Sequence, residues 1–384
     1  MKTIKLLSLV ILFSVVLFSC EKGSDLSSSY TSDGSDNPNG NQEIEPGTIT
    51  AAEWNDLDNW QFWMDLLQEN EWYLMQDHWI FYPIQRYQVK VVDKNNRAVV
   101  DAQIKLIDSS NEIIWAARTD NTGIAELWDG LYGNYNEPNE IILTYGNVEL
   151  FLNPIYLLHY EDDNKFELTI ETTPPQNLDI QFVVDATGSM SDEINYLKAE
   201  LEDVISEIQS EFSNLDILLG ITFYRDEGDS YVVENLPFTS NISDALSFVE
   251  DHNASGGGDF PEAVHTALES AINEQWNDNA MARILFLILD APPHHENDVI
   301  ESIHESIKTA AMKGIKIIPI TASGIDKETE FLMRFMAIST NGTYTFITND
   351  SGIGNDHIEA SVGQYEVEFL NELMIRLISE NSDY

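Results

Sequence analysis

Apolar and polar positions follow different rhythms in different parts of the chain. From Arg86 to about Thr172 they alternate in short runs: YQVKVVD, AQIKLID, EIIWAART and GIAELWD, then EIILTYG and KFELTIET. Alternation of period two places successive side chains on opposite faces of a sheet, so these runs predict half-buried strands. DKNNRAVVDA and DNTG supply turn residues between them. Regular short strands of this kind predict a small antiparallel sandwich over residues 86–172. TTPPQN reads as a linker. Beyond it, near-continuous apolar runs (LDIQFVVD, DILLGITFY, RILFLILD, IKIIPITAS, GTYTFIT) alternate with amphipathic stretches. One helix is expected over residues 190–214, with Ile194, Leu197, Leu201, Val204, Ile205, Ile208 and Phe212 on a single face. PEAVHTALESAINEQW predicts another, with Pro261 in its first turn. DVIESIHESIKTAAMKG predicts a third, ended by Gly314. ETEFLMRFMAIS and YEVEFLNELMIRLI complete the set, and SYVVENLPF reads as an edge strand. Strands buried on both faces and separated by helices predict an α/β fold over residues 178–384, a doubly wound, mostly parallel sheet.

The first 85 residues follow neither rhythm. MKTIKLLSLVILFSVVLFSC has two lysines, then an apolar run from Leu6 to Phe18 that is too short to span a membrane as a helix. It ends at LFSC and resembles a bacterial lipoprotein signal peptide (residues 1–19). The resemblance implies cleavage before Cys20 and lipidation of that cysteine, with several acyl chains giving a stable anchor. Residues 20–49 are rich in Ser, Asp, Asn and Gly and read as a flexible tether. Residues 50–85 hold Trp54, Trp60, Trp63, Trp72 and Trp79, with Trp60, Trp63, Met64 and Leu67 at helical spacing. This segment is expected to be helical and to pack its rings on a neighbouring domain; sugar-stacking platforms are the alternative.

Charge narrows the partners. The 384 residues include 66 Asp+Glu and 19 Lys+Arg, a formal net charge of -47. Such a surface repels nucleic acid and anionic lipid and attracts divalent cations. Cys20 is the chain's one cysteine, so no intramolecular disulfide is expected.

The candidate chemistry sits at the ends of the predicted parallel strands, where open α/β sheets bind ligands. Asp185 ends the first strand, and Thr187 and Ser189 follow in the loop. Asp290 ends RILFLILD. SGGGDFPEA lies between them and presents Asp259 on a glycine-rich loop. Oxygen ligands without Cys or His suit a hard cation, Mg²⁺ foremost, with Mn²⁺ or Ca²⁺ as alternatives. D-x-T-G-S here resembles the D-x-S-x-S motif of von Willebrand factor type A domains, and the likeness extends over about residues 178–380. It implies that Asp185, Thr187, Ser189 and Asp290 hold a metal ion with one position open to a protein partner, often to an acidic side chain. At the second loop Asp259 takes the place of the family's threonine, which should tighten the cation and weaken the demand for an acidic partner. Arg225 and Asp226 in FYRDEGD, and His294 and His295 in APPHHEN, are possible rim contacts. The order of strands and turns in residues 86–172 resembles carboxypeptidase regulatory-like domains, small prealbumin-like sandwiches, which implies a structural or binding module.

Catalysis is not expected. GSMS is not a G-x-S-x-G nucleophile elbow, and neither H-E-x-x-H nor a G-x-x-x-x-G-K-[ST] phosphate loop is present. The expected function is an envelope-anchored, cation-dependent protein-binding or adhesion module, with outer-membrane placement. The alternatives are a glycan-capture lipoprotein and an envelope protein whose metal is purely structural.

Overall fold

The computed structural model describes residues 44–83, 85–152, 164–354 and 357–384. The signal-like segment, Cys20 and most of the tether lie outside the described residues. From Ile44 onward the chain forms one compact unit.

Strand β1 (Thr50–Trp54) leads into helices α1 (Trp60–Leu66) and α2 (Asn70–Trp79). Seven strands follow: β2 (Gln85–Val92), β3 (Gln103–Asp108), β4 (Ile113–Arg118), β5 (Ile124–Asp129), β6 (Pro138–Tyr145), β7 (Val148–Leu152) and β8 (Asn164–Glu167). They make two sheets, β5-β2-β8 and β4-β3-β6-β7. Inward positions such as Val89, Val91, Ile104, Leu106, Ile141 and Leu143 are fully buried between them, the alternation expected of a sandwich.

The remainder runs β9 (Asn177–Asp185), α3 (Ile194–Glu211), β10 (Asp216–Tyr224), β11 (Val233–Thr239), α4 (Ile242–Asp251), α5 (Val264–Ile272), β12 (Ala282–Leu289), α6 (Asn297–Lys313), β13 (Ile315–Thr321), α7 (Lys327–Ser339), β14 (Tyr344–Ile347), β15 (Val367–Phe369) and α8 (Leu370–Ser382). These strands form an eight-stranded sheet in the order β11-β10-β9-β12-β13-β14-β1-β15. β10, β9, β12, β13 and β14 are parallel, and β11, at one edge, is antiparallel. The α/β fold expected from the apolar runs is therefore present. Alternate residues serve opposite faces. Ile180, Phe182, Val184, Ile284, Phe286 and Ile288 pack with α3, α4 and α8. Val183, Leu285, Leu287 and Leu289 pack with α5, α6, α7 and the aromatic N-terminal segment. A sheet covered on both sides has no polar face, which is why these strands lack the period-two alternation of the sandwich.

Two expectations are corrected here. The segment 50–85 is not wholly helical: TAAEW is a strand inserted between β14 and β15, antiparallel to both, with Ala51 opposite Ile347 and Thr50 opposite Phe369. Glu200 on α3 fixes its entry, accepting hydrogen bonds from the backbone N–H of Gly47 (2.8 Å), Thr48 (2.8 Å) and Ile49 (3.0 Å). The α/β domain therefore does not begin at residue 178; it needs residues 44–54 to complete its sheet. The helix read from Pro261 begins only at Val264, because the backbone of Glu262 is engaged elsewhere, as described below.

The aromatic segment is packed inward. Trp63 and Trp79 are fully buried, and Trp63 stacks on Phe331 of α7 at 5.8 Å. Arg334, also on α7, lies over the rings of Trp63 and Trp72 at 4.8 and 5.1 Å. α7 is thus buried on nearly all sides, between the sheet and the tryptophans. The sandwich is fastened at the start of the parallel strands. Arg283 of β12 donates to Asp101, and Lys316 of β13 donates to Asp120. Both contacts lie at the end opposite the strand carboxyl termini, so the sandwich leaves that face uncovered.

Candidate metal centre

Asp185 is the last residue of β9, and Asp290 follows the last residue of the neighbouring parallel strand β12. Parallel register thus carries the two carboxylates to the same end of the sheet. Asp185 Oδ1 accepts from the Thr187 backbone N–H (2.8 Å) and from the Thr187 hydroxyl (2.7 Å), and the Thr187 and Ser189 hydroxyls lie 3.0 Å apart. One Asp185 oxygen is therefore used to shape the loop. Among the described residues its Oδ2 has no hydrogen-bond partner, and neither does Oδ1 of Asp290. Asp185 and Thr187 are fully buried, Asp290 is nearly so, and Ser189 is exposed at the mouth.

The electrostatics show what such burial costs. Burial pushes the Asp185 carboxyl above the usual carboxylate range, against the hydrogen bonds from Thr187. Asp290 is raised by burial and by the charge of Asp185 beside it. The buried Tyr224 phenol, next to Asp185 without a well-formed hydrogen bond, is raised well above its ordinary value by burial and by the charges of Asp185, Asp290 and Glu262. Buried carboxylates without a counter-charge are unfavourable, and Arg225, the nearby cation at the rim, donates to backbone carbonyls rather than to Asp185 or Asp290.

The second loop departs from expectation. Asp259 is exposed, and Phe260 beside it is 46% exposed. The acid that turns inward is Glu262, only 2% exposed, with Oε2 unpartnered. Burial, followed by the charges of Asp185, Asp226, Asp290 and Asp229, pushes its carboxyl up to about 9. Its backbone N–H donates to Pro292 O (2.9 Å) and it bridges Pro293, so the second loop is stitched to the loop after Asp290. The same loop is stitched to the first by Gly188 N–H to Gly256 O (3.1 Å) and Ser255 N–H to Ala186 O (2.9 Å). The sequence does not single out Glu262, because PEAVHTAL has the pattern of a helix whose first turn would include it. The one available signal was the pair of glycines before it, which release the backbone at positive φ.

The rim residues have separate roles. Arg225 donates to the carbonyls of Ala186 (3.2 Å) and Asn253 (2.8 Å) and lies over Tyr231, so it braces the first loop against the approach to the second. His294 and Asp226 pair with each other at 2.9 Å. His295 faces the aromatic segment: it stacks on His78 (3.5 Å between ring centres), and its Nε2 lies 2.9 Å from His78 O. In the tail SGIGNDH, Gly354 closes over buried Glu193; Asn355 and Asp356 lie outside the described residues.

Among the described residues, no three His, Cys, Asp or Glu side chains are grouped closely enough to hold one metal ion between them. One carboxylate, two hydroxyls and an outer carboxylate do not require such a group. Oxygen donors with unpartnered buried atoms fit a hard cation completed by water.

Comparison with known sequences agrees with this geometry. The sequence model of the von Willebrand factor A domain family matches residues 179–353. A putative ariadne-like RING finger protein, R811 of Acanthamoeba polyphaga mimivirus, is 33% identical over 132 residues, 34% of this chain and 13% of that protein. The alpha-protein kinase vwkA of Dictyostelium discoideum is 30% identical over 118 residues, 30% of this chain and 19% of the kinase. The matched stretch thus spans less than a fifth of either relative. Among solved structures, an aerotolerance-related membrane protein from Bacteroides fragilis aligns at 14% identity and a TM-score of 0.37, over 53% of this chain and 99% of that one. BatB from Bacteroides thetaiotaomicron aligns at 16% and 0.37, over 54% and 100%.

Proposed function

We propose that this chain, whose residues 179–353 are a von Willebrand factor A domain, is a divalent-cation-dependent protein-binding module anchored at a bacterial envelope membrane through Cys20. The observation that carries the proposal is the pair of buried, unpartnered carboxylate oxygens on Asp185 and Asp290, at the ends of adjacent parallel strands. Asp185, Thr187, Ser189 and Asp290 would hold the cation, Mg²⁺ foremost, with Mn²⁺ or Ca²⁺ able to replace it. A bound cation supplies an electrophilic point that an oxygen of the partner completes. The protein's own residues do the rest. Thr187 fixes Asp185 through two hydrogen bonds, Arg225 holds the first loop near the second, and the sandwich stays at the far end of the sheet.

The rim carries exposed Asp259 and half-buried Asp229, with exposed Phe260 beside Asp259. This composition favours a protein partner that offers basic side chains around an apolar contact. The glycan alternative needs accessible indole faces, whereas Trp54, Trp63, Trp72 and Trp79 are buried; that supports the protein-binding reading. Anchoring and envelope placement rest on the segment that ends at Cys20. Among the described residues no helix is long and apolar enough to cross a membrane.

The test is calorimetric titration of Mg²⁺, Mn²⁺ and Ca²⁺ into the metal-stripped chain and its Asp185→Ala and Ser189→Ala variants. One site, absent in both variants, is expected, together with partner binding that EDTA reverses. A wild-type chain that takes up no cation ends the proposal. A metal that raises the melting temperature but leaves partner binding unchanged when removed assigns it a structural role.

A further inference from the structure

We infer that Glu262, and not Asp259, is the acid with which the second loop serves the cation, and that it does so from outside the direct ligands, by accepting hydrogen bonds from cation-bound water. This rests on the cation-dependent reading given above.

Three observations place Glu262 in that role. Its side chain is buried to 2% exposure, yet Oε2 meets no donor among the described residues. A buried carboxylate of this kind is costly unless something positive or protic faces it. Its backbone is held on both sides, by Glu262 N–H to Pro292 O at 2.9 Å and Val264 N–H to Glu262 O at 2.8 Å. The side chain is therefore delivered by a braced turn rather than by a mobile tip. Gly257 separates it from the first loop. A Cβ built on Gly257 would stand 2.9 Å from Glu262 Oε1 and 3.3 Å from Cβ of Thr187. The absence of a side chain there lets the Glu262 carboxylate and Thr187 share one small space. Gly257 also has φ +70°, a conformation that side chains other than glycine's disfavour.

Asp259 has none of this. It is exposed at the outer tip of the loop, next to exposed Phe260. Direct coordination by Glu262 together with Asp185 and Asp290 does not fit, since no three acids are grouped around one point among the described residues. An outer position does fit. Mg²⁺ in particular keeps several of its waters when bound, and the groups that receive hydrogen bonds from the inner shell commonly contribute 10–100-fold to affinity.

The experiment is titration of Mg²⁺ and Mn²⁺ into the metal-stripped full chain as wild type, Glu262→Gln, Asp259→Asn and Asp185→Ala. Glu262→Gln is expected to bind about 10–100-fold more weakly, Asp259→Asn within about twofold of wild type, and Asp185→Ala not at all. Metal-free Glu262→Gln is expected to melt no lower than wild type, which separates lost affinity from lost fold. Should the glutamine variant not fold, Glu262→Asp keeps the charge, shortens its reach and is expected to weaken binding. Wild-type affinity in the Glu262 variants, or an equal loss in Asp259→Asn, overturns the inference while leaving the Asp185 site standing. No uptake by the wild type overturns both.

Discussion

Asp56 and Glu330 are buried as deeply as Asp185 and Glu262, at 3% and 0% exposure against 0% and 2%, but the two groups are completed differently. Both Asp56 oxygens accept from Arg334, at 2.6 and 2.9 Å, and Oδ1 also receives the Trp54 indole N–H. Glu330 accepts from Ser361 N–H and from Lys327 at 2.8 Å, with Arg334 at 3.4 Å. Every oxygen there is engaged, and the guanidinium is capped by two tryptophan rings. At the strand-end site, Asp185, Glu262 and Asp290 each keep an oxygen without a partner among the described residues. Buried charge alone therefore does not mark a functional site. An internally balanced cluster holds the N-terminal segment on α7; the unbalanced one is where the proposed cation would supply the missing charge.

The largest expected effect tests the balanced cluster. Asp56→Ala leaves Arg334 buried without its main partner, which costs about 3–5 kcal/mol. Urea unfolding should show a corresponding fall in midpoint, irrespective of added Mg²⁺. Asp290→Asn, measured in the metal-free chain, should act in the opposite direction. It removes a buried carboxylate that is raised by burial and by the charge of Asp185, and should raise stability while abolishing cation uptake. Equal losses in both variants would erase the distinction between the clusters.

Acidity separates the clusters next. The carboxyls of Glu262, Asp185 and Asp290 are all raised by burial in the folded chain, so the native state keeps protons that the unfolded chain has released. Their contribution is most favourable below the ordinary carboxylate range. It is lost as pH rises, through to about 9 where Glu262 ionises. The metal-free protein should therefore melt lower at each step from pH ~5 to ~9. Saturating Mg²⁺ should flatten or reverse that decline, because a cation favours the ionised forms. A decline unaffected by Mg²⁺ would place these acids outside any cation's reach.

A third buried acid shows a further way of satisfying the charge. Glu200 is 1% exposed and receives three backbone N–H groups at the entry to β1. Glu200→Ala should cost about 1–3 kcal/mol and should loosen β1 first. Hydrogen exchange at Ala51 and Ala52 should then accelerate before exchange in β12.

These contrasts also explain what the sequence could and could not disclose. The continuous apolar runs and the D-x-T-G-S stretch located the parallel sheet and the first loop, because strand burial and loop hydroxyls are encoded locally. Asp290 followed from its place at the end of RILFLILD. β1 was hidden because TAAEW is a short stretch of small residues beside a tryptophan-rich helical pattern. Its strand character comes from β14 and β15, whose partner residues lie near 345 and 368. Glu262 is hidden because PEAVHTAL carries a good helical pattern, whereas the backbone of Glu262 is tied to Pro292 and Pro293, some 30 residues away. Likewise, nothing local to His295 indicates that its ring would stack on His78.

The smallest expected effect concerns the rim. His294 is partly buried, which lowers its pKa, but the hydrogen bond and charge of Asp226 outweigh burial, and the net shift is upward. A histidine raised in this way stabilises the fold fully below its unfolded value, and the contribution disappears as pH rises through the folded value. Asp226→Asn should therefore cost about 1 kcal/mol at pH ~5.5 and little at pH ~8.5. The pH dependence is opposite to that of removing Glu262, whose unpaired charge destabilises the metal-free chain most at high pH. NMR titration of the His294 ring in Asp226→Asn should show its pKa falling. An unchanged value would mean that the surrounding acids, Asp259 and Glu296 among them, hold the imidazolium collectively. The rim would then resemble the unbalanced strand-end cluster more than the closed one at Arg334.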